Sequence, residues 1–285
     1  MLRAGFAGLA LAVVATARAE DACARPPALD PAGREGAAQG RVQAVNERLE
    51  LTLEDGRRLK IAGLDPPRPT PDNPDLDVRS GERLAAWLAG KDIVFRLTGP
   101  RPDRWGRYSV EAFAPAQAAA PSAVPVAQAA LDAGLARFEP GAAARPCRTF
   151  LLAAETTARA GALGLWADPY YAIIAAGDHE SFAEKAATSV IVEGRVTGVA
   201  KDGFRTTLLF GDRRGFDFSV TILQRNVKIF TAAGVDIEKF QGQTIRVRGL
   251  LDMRFGPQIE VSNPDEIEML PQGQDAAAPK TAPQR

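Results

Sequence analysis

The first constraint on this chain is a rhythm of short apolar alternations. Leu49, Leu51 and Leu53 alternate with polar residues at the end of a strand read over Arg41–Leu53. Glu54-Asp55-Gly56 supplies a turn, and Leu59, Ile61 and Leu64 resume on its far side. A strand points successive side chains to opposite faces, so this pattern gives one buried and one solvated face. Asp65-Pro66-Pro67 ends the second strand, because proline cannot donate to a continuing ladder. A Pro/Asp-rich loop then runs to about Asp77, and a short helix over Ser80–Leu88 buries Leu84, Trp87 and Leu88. Lys91–Leu97 alternates again, and the turn Asp103–Arg107 leads into a strand through Phe113. Residues 114–123 read as an Ala/Pro-rich turn. Helices follow at about Val126–Ala133 and Arg148–Ala162, and Gly164-Leu165-Trp166 closes the block.

A second strand-rich block begins after residues 170–188, which read as a linker with some helix. Its strands are expected at Val190–Val199, Thr206–Phe210, Phe216–Ile222, Thr244–Leu251 and Gln258–Val261, with a short one at Ile267–Leu270. A helix at about Asn226–Ala233 falls after the third strand. Five strands with a helix inserted there match the plan of a small Greek-key barrel, the OB-fold. Phe204, Phe210, Phe216 and Phe218 could stack on bases, but Phe216 and Phe218 share one predicted strand face and are read as core. Arg213-Arg214, between Gly211 and Gly215, reads as a solvated hairpin tip.

Composition limits the chemistry. The 285 residues carry 35 Lys+Arg against 35 Asp+Glu, so no strongly basic footprint for nucleic acid exists. The first block is as balanced as the second, with 17 Lys+Arg and 16 Asp+Glu over residues 41–176 and 11 of each over residues 190–270. One His and two Cys exclude a His-based or Cys-rich metal site. His179, in Gly177-Asp178-His179-Glu180, reads as a solvated linker residue.

The N-terminus has Arg3, an apolar stretch from about Gly5 to Ala15, and the small-x-small pattern Ala17-Arg18-Ala19. That stretch is too short for a permanent bilayer span, which needs about 20 residues, and reads as a cleaved signal over 1–19. The expected product is exported, periplasmic or secreted, with no membrane span after cleavage. Export places Cys23 and Cys147 where disulfides persist, and pairing them would pin a Pro/Ala-rich tail, residues 20–40, to the body. The expected layout is that tail, a strand-rich block with helices over 41–169, the linker 170–188, an OB-fold-like barrel over 189–270 and a disordered tail over 271–285. The fold class is mainly β with helices (α+β).

The first block resembles the staphylococcal (thermonuclease) nuclease family. The resemblance rests on Gly63-Leu64-Asp65-Pro66-Pro67, Asp103-Arg104-Trp105-Gly106-Arg107, Gly134-Leu135-Ala136, Ala154-Glu155 with Ala158, and Gly164-Leu165-Trp166, in that order across residues 41–167. It implies an OB-type five-stranded barrel with helices, and so two OB-type units in tandem, together with calcium-dependent phosphodiester cleavage. In that family a carboxylate assists water, two arginines stabilise the transition state and acidic residues hold the metal.

Residue by residue, the resemblance implies a departure from that chemistry. Arg107 keeps one arginine position, Lys60 occupies the other, and Asp65 keeps the metal-binding aspartate. Pro66 stands where a threonine is usual, and Arg68 takes the place of the catalytic glutamate. Asn46-Glu47-Arg48-Leu49 replaces the acidic hairpin turn, so the second metal aspartate falls on Arg48, with Glu47 the nearest substitute. Losing a general base typically costs about 10²–10⁴ in rate. Arg48, Lys60, Arg68 and Arg107 would gather around Asp65, a set suited to phosphate or carboxylate without a cofactor.

The leading expectation is therefore a non-catalytic exported module that binds an anion, such as a nucleotide or oligonucleotide end. One alternative is an active nuclease with a rebuilt calcium site using Asp65 and Glu47, with Lys60 and Arg107 on the phosphate. Another is a structural envelope protein with a protein partner.

Overall fold

The computed structural model describes residues 23–27, 37–115, 123–141 and 144–271. The expected signal (1–19) and C-terminal tail (all but its first residue), and most of the 114–123 turn, lie outside the described residues. The chain divides into two compact units, Met1–Tyr171 and Ala172–Arg285.

In the first unit the alternating runs become strands β1 (Ala37–Val45), β2 (Leu51–Leu53), β3 (Arg58–Ile61), β4 (Leu64–Asp65), β5 (Asp92–Leu97) and β6 (Arg107–Pro115). The sheet runs β3-β2-β1-β5-β6, and a parallel β3–β6 pairing joins its two ends into a closed five-stranded barrel. This order and closure are compatible with an OB-fold. Closure leaves no edge, and the inward residues Val42, Leu51, Leu53, Leu59, Ile61 and Phe95 are all buried. β1 begins at Ala37, so the end of the expected tail already belongs to the barrel, where it pairs with β5.

Helix α1 (Leu76–Leu88) starts a turn earlier than the sequence suggested. Leu76 packs with Leu165 and Tyr171, a contact between distant residues that local patterning does not reveal. β7 (Ala123–Pro125) extends the sheet beside β6, and β8 (Arg137–Phe138) pairs with β4. Helices α2 (Val126–Asp132) and α3 (Arg148–Ala160) pack together on the barrel. The disulfide Cys23–Cys147 forms, with Cα atoms 5.5 Å apart, and both cysteines are buried in this core.

The second unit is an eight-stranded sheet. Its strands are β9 (Ile174–Ala175), β10 (Ser189–Arg195), β11 (Gly198–Lys201), β12 (Arg205–Leu209), β13 (Ser219–Leu223), β14 (Thr244–Asp252), β15 (Gln258–Val261) and β16 (Ile267–Met269). The path runs β11-β12-β13-β15-β14-β10-β9, with β16 on β14, and β13–β15 is parallel. The strand expected over Val190–Val199 is interrupted at Val196-Thr197, giving β10 and β11. Helix α5 (Gln224–Ala232) falls between β13 and β14 as expected.

The segment read as a linker is built into this unit. β9 pairs with β10, and α4 (His179–Glu184) places Phe182 fully in the core, stacked on Phe218. Phe218 is core as expected. Phe216 is not, because β13 begins only at Ser219 and the ring is 48% exposed.

Candidate functional site

The β1–β2 loop decides what Arg107 meets. The Asn46 Oδ1 accepts from the backbone N–H groups of Arg48 and Glu50, at 3.0 and 2.9 Å, and this closes the turn. Leu49 adopts a left-handed φ of 57°, a strain of about 1–2 kcal/mol that burial of its side chain outweighs. The loop lies against α1 at Gly81, where an added Cβ would come within 2.7 Å of the Asn46 carbonyl oxygen. Glu50 therefore leaves the turn on the outward face of β2, opposite the inward Leu49 and Leu51.

Arg58 and Lys60 share the outward face of β3, and the parallel pairing sets Arg58 beside Arg107. Glu50, 6% exposed, accepts from Arg107 on one oxygen and from Arg58 Nη2 at 3.2 Å on the other. Asp103 holds Arg107 from the other side, its Oδ2 accepting from both Nε at 2.8 Å and Nη2 at 2.6 Å. Trp105, half exposed, lies under the Arg104 and Arg107 guanidinium groups.

These pairs shift the acids. Hydrogen bonds from Arg107 bring Asp103 down to about 2. Burial pushes Glu50 up, but the hydrogen bonds from Arg107 and Asn46 and the charges of Arg107 and Arg58 leave it below its usual range. Arg107 is held above its own usual range, chiefly by Asp103 and then by Glu50.

A second pair of contacts lies along β4 and β8. Asp65 accepts from Arg137 Nη2 at 2.6 Å across the β4–β8 pairing, and Lys60 Nζ meets Glu139 at 2.8 Å. The Tyr171 hydroxyl accepts from the Arg68 backbone N–H at 2.7 Å and donates to its carbonyl at 3.1 Å. Beyond it, the buried Asp168 accepts from Thr70 Oγ1 and Asn73 Nδ2, so the whole 68–73 loop is tied down. The Arg68 and Arg48 side chains are exposed, and neither has an ion pair among the described residues.

The sequence-predicted cations thus divide. Lys60 and Arg107 are committed to carboxylates, and Arg48 and Arg68 have exposed guanidinium groups with no ion pair among the described residues. Asp65 meets Arg137, which sequence reasoning passed over, and the acid facing Arg107 is Glu50 rather than Glu47, which is exposed. The signal for Glu50 was present in the alternation, which sets it on the face of Arg58 and Lys60.

The donor set does not fit calcium, which needs several oxygen ligands free of competing cations. Glu50 is bridged by two arginines, Asp65 is bound by a third, and no group of three His, Cys, Asp or Glu among the described residues could hold a metal. No helix among the described residues is long and apolar enough to cross a membrane. No protein-family model matches this chain, and no curated protein does.

Proposed function

We propose that the chain is an exported, catalytically degenerate thermonuclease-like protein carrying a second OB-type barrel, and that its first unit binds a phosphate-bearing anion. The observation that carries this reading is the pairing of Arg107 with Glu50 and Asp103 and of Asp65 with Arg137. At the positions where the resemblance puts a transition-state arginine and a metal acid, each charge is already neutralised by its own protein. Arg48 and Arg68 remain as uncommitted guanidinium groups suited to phosphate. Lys60, only singly paired and part-exposed, can exchange Glu139 for a ligand at small cost, since exposed ion pairs contribute about 0–1 kcal/mol.

The test is calorimetric titration of the full chain with inorganic pyrophosphate, alongside cleavage assays on labelled single-stranded DNA with calcium or chelator. The expected result is chelator-indifferent binding, weakened in Arg48→Ala and Arg68→Ala, without cleavage. Calcium-dependent cleavage that disappears in Asp65→Asn would instead restore the nuclease. Absence of both would favour a structural role with a protein partner.

A further inference from the structure

The second unit has a groove of about 340 Å³ on the outer face of β11, β12, β13 and β15. Strand register builds its floor. Thr207 lies opposite both Ala200 and Thr221, and Ser219 lies between Leu209 and Gln258. Hydroxyl and amide groups on this face offer donors and acceptors without closing the groove. Lys201, Arg205, Arg213 and Arg214 supply its cations, against Asp202 and Asp217 among the lining acids.

The cations are not equivalent. Arg213 is held by Asp217 at 2.9 Å, Arg205 reaches Asp202 only at 3.4 Å, and Lys201 pairs with the exposed Glu238. Arg214 has no ion pair among the described residues. The aromatic rings differ in the same way. Phe216 is covered by the His179 ring, 4.3 Å between centroids, and by the Arg213 guanidinium at 4.0 Å. Phe255 lines the groove 79% exposed, and Phe204, on the turn between the lining residues Asp202 and Arg205, is 84% exposed. Neither ring has an aromatic or cationic partner among the described residues.

Two glycines hold the free cation and the free ring together. Gly215 and Gly256 both take positive φ, and a Cβ on Gly256 would fall 2.3 Å from the Gly215 carbonyl oxygen. The two turns therefore meet backbone on backbone. Arg214 and Phe255, the residues just before each glycine, both line the groove.

From this juxtaposition we infer that the groove binds single-stranded nucleic acid, with a base stacked on Phe255 and its phosphate on Arg214. Bases offer a flat π face to an aromatic ring whatever their identity, and successive phosphates follow a basic edge. Arg205 and Lys201 continue that edge along β12 and β11, and the Thr207, Thr221 and Gln258 side chains meet the sugar and base edges. The site is separate from Arg48 and Arg68, and it stands whether or not those residues bind an anion.

The experiment is fluorescence anisotropy of labelled oligothymidylate of about ten nucleotides with the full chain, first at about 50 mM salt and then at rising salt. Phe255→Ala is expected to weaken binding about fivefold or more, and Phe255→Trp to retain it. Arg214→Ala is expected to weaken it and to lower the slope against log salt by about 0.7. The titrations are repeated in an Arg48→Ala/Arg68→Ala background, which removes any binding by the first unit, so that what Phe255→Ala and Arg214→Ala then abolish belongs to the groove. Both substituted side chains are exposed, and circular dichroism checks that the variants fold. Failure to bind, or binding unchanged in both Phe255→Ala and Arg214→Ala, overturns the assignment. Binding that falls with Arg214→Ala but not with Phe255→Ala, matched by equal binding of dextran sulfate, also overturns it and indicates an acidic polymer.

Discussion

Arg107 on β6 donates to Glu50 beside the β1–β2 turn, joining residues 57 positions apart, and the acid it meets is almost wholly removed from solvent. Asp103 clamps the same guanidinium from within its own turn. An arginine held this way is pre-organised, and three of its five N–H donors are committed to carboxylates of its own protein. That contact ties β6 to the turn between β1 and β2, so Arg107 serves the fold.

Arg107→Ala should be destabilising, because it leaves Glu50 buried with only Arg58 as a counter-charge. Breaking a buried pair from one side costs about 3–5 kcal/mol, and the retained Arg58 contact places the expected loss at or below the lower end. Urea denaturation of the variant measures it. The double variant Arg107→Ala with Glu50→Gln should recover part of the loss, since no buried charge then remains unpaired. A double variant less stable than the single one would refute the explanation.

The same pair predicts an acid-side transition. Glu50 and Asp103 ionise more readily in the folded chain than in the unfolded one, where their ordinary values lie near 4.5 and 3.8. Their contribution is therefore fully present above about pH 5 and is lost as the pH falls through the folded values, which for Asp103 reaches about 2. Stability followed from pH 6 downward should fall below about pH 4.5, and Arg107→Ala should flatten that fall. An unchanged slope would separate the ion pairs from the acid response.

Reduction of Cys23–Cys147 should lower stability without changing the fold of the barrel. The bond closes a loop of 124 residues, and chain entropy sets its contribution at about 4–5 kcal/mol before any strain or residual structure reduces it. Thermal melts should show the reduced protein less stable than the oxidised one, and a Cys23→Ala/Cys147→Ala variant should melt with the reduced protein within error. A reductant effect that persists in the double variant would point elsewhere.

Gly164→Ala should be among the most damaging single substitutions. Gly164 has φ of 56°, and a Cβ there would lie 2.1 Å from the Gly134 carbonyl oxygen, which accepts from the Leu165 N–H. Left-handed strain and a backbone clash together predict a loss of about 2–4 kcal/mol. Gly90→Ala has left-handed strain but open space around the Cβ, so it should cost less by denaturation. Equal losses would show that the close approach is not what Gly164 provides.

Tyr171→Phe removes a hydroxyl that both accepts from and donates to the Arg68 backbone. Burial holds this phenol above its usual range, so it remains a donor at neutral pH. The expected cost is about 1–3 kcal/mol, with pyrophosphate affinity falling alongside as the loop carrying Arg68 loosens. Stability lost with affinity unchanged would detach Arg68 from the proposed site.

The strands were legible wherever one face of a strand is buried, because Leu51, Leu53, Leu59 and Ile61 must alternate to fill a barrel. The helices α2 and α3 followed from local patterning in the same way, and two cysteines in an otherwise cysteine-free chain left one pairing to make. Glycine motifs were legible as motifs, and the structure supplies their reason in the backbone contact between Gly134 and Gly164. Local rules failed where distant residues set the outcome. Leu76 joins α1 because Leu165 and Tyr171 cover it, and residues 174–184 join the second unit because β10 and Phe218 receive them.

The residue types of the candidate site were set by sequence alone: an arginine at position 68, a lysine at 60, and too few His and Cys for a metal centre of that kind. Which charge meets which was decided only by the tertiary structure. Glu50 finds Arg107, Asp65 finds Arg137 and Lys60 finds Glu139 through strand pairing across tens of residues. The strength of an ion pair depends on distance and burial, and neither is encoded in the spacing of residues along the chain. The same holds in the second unit, where Arg214 and Phe255 line one groove and the glycines that follow them let their turns touch.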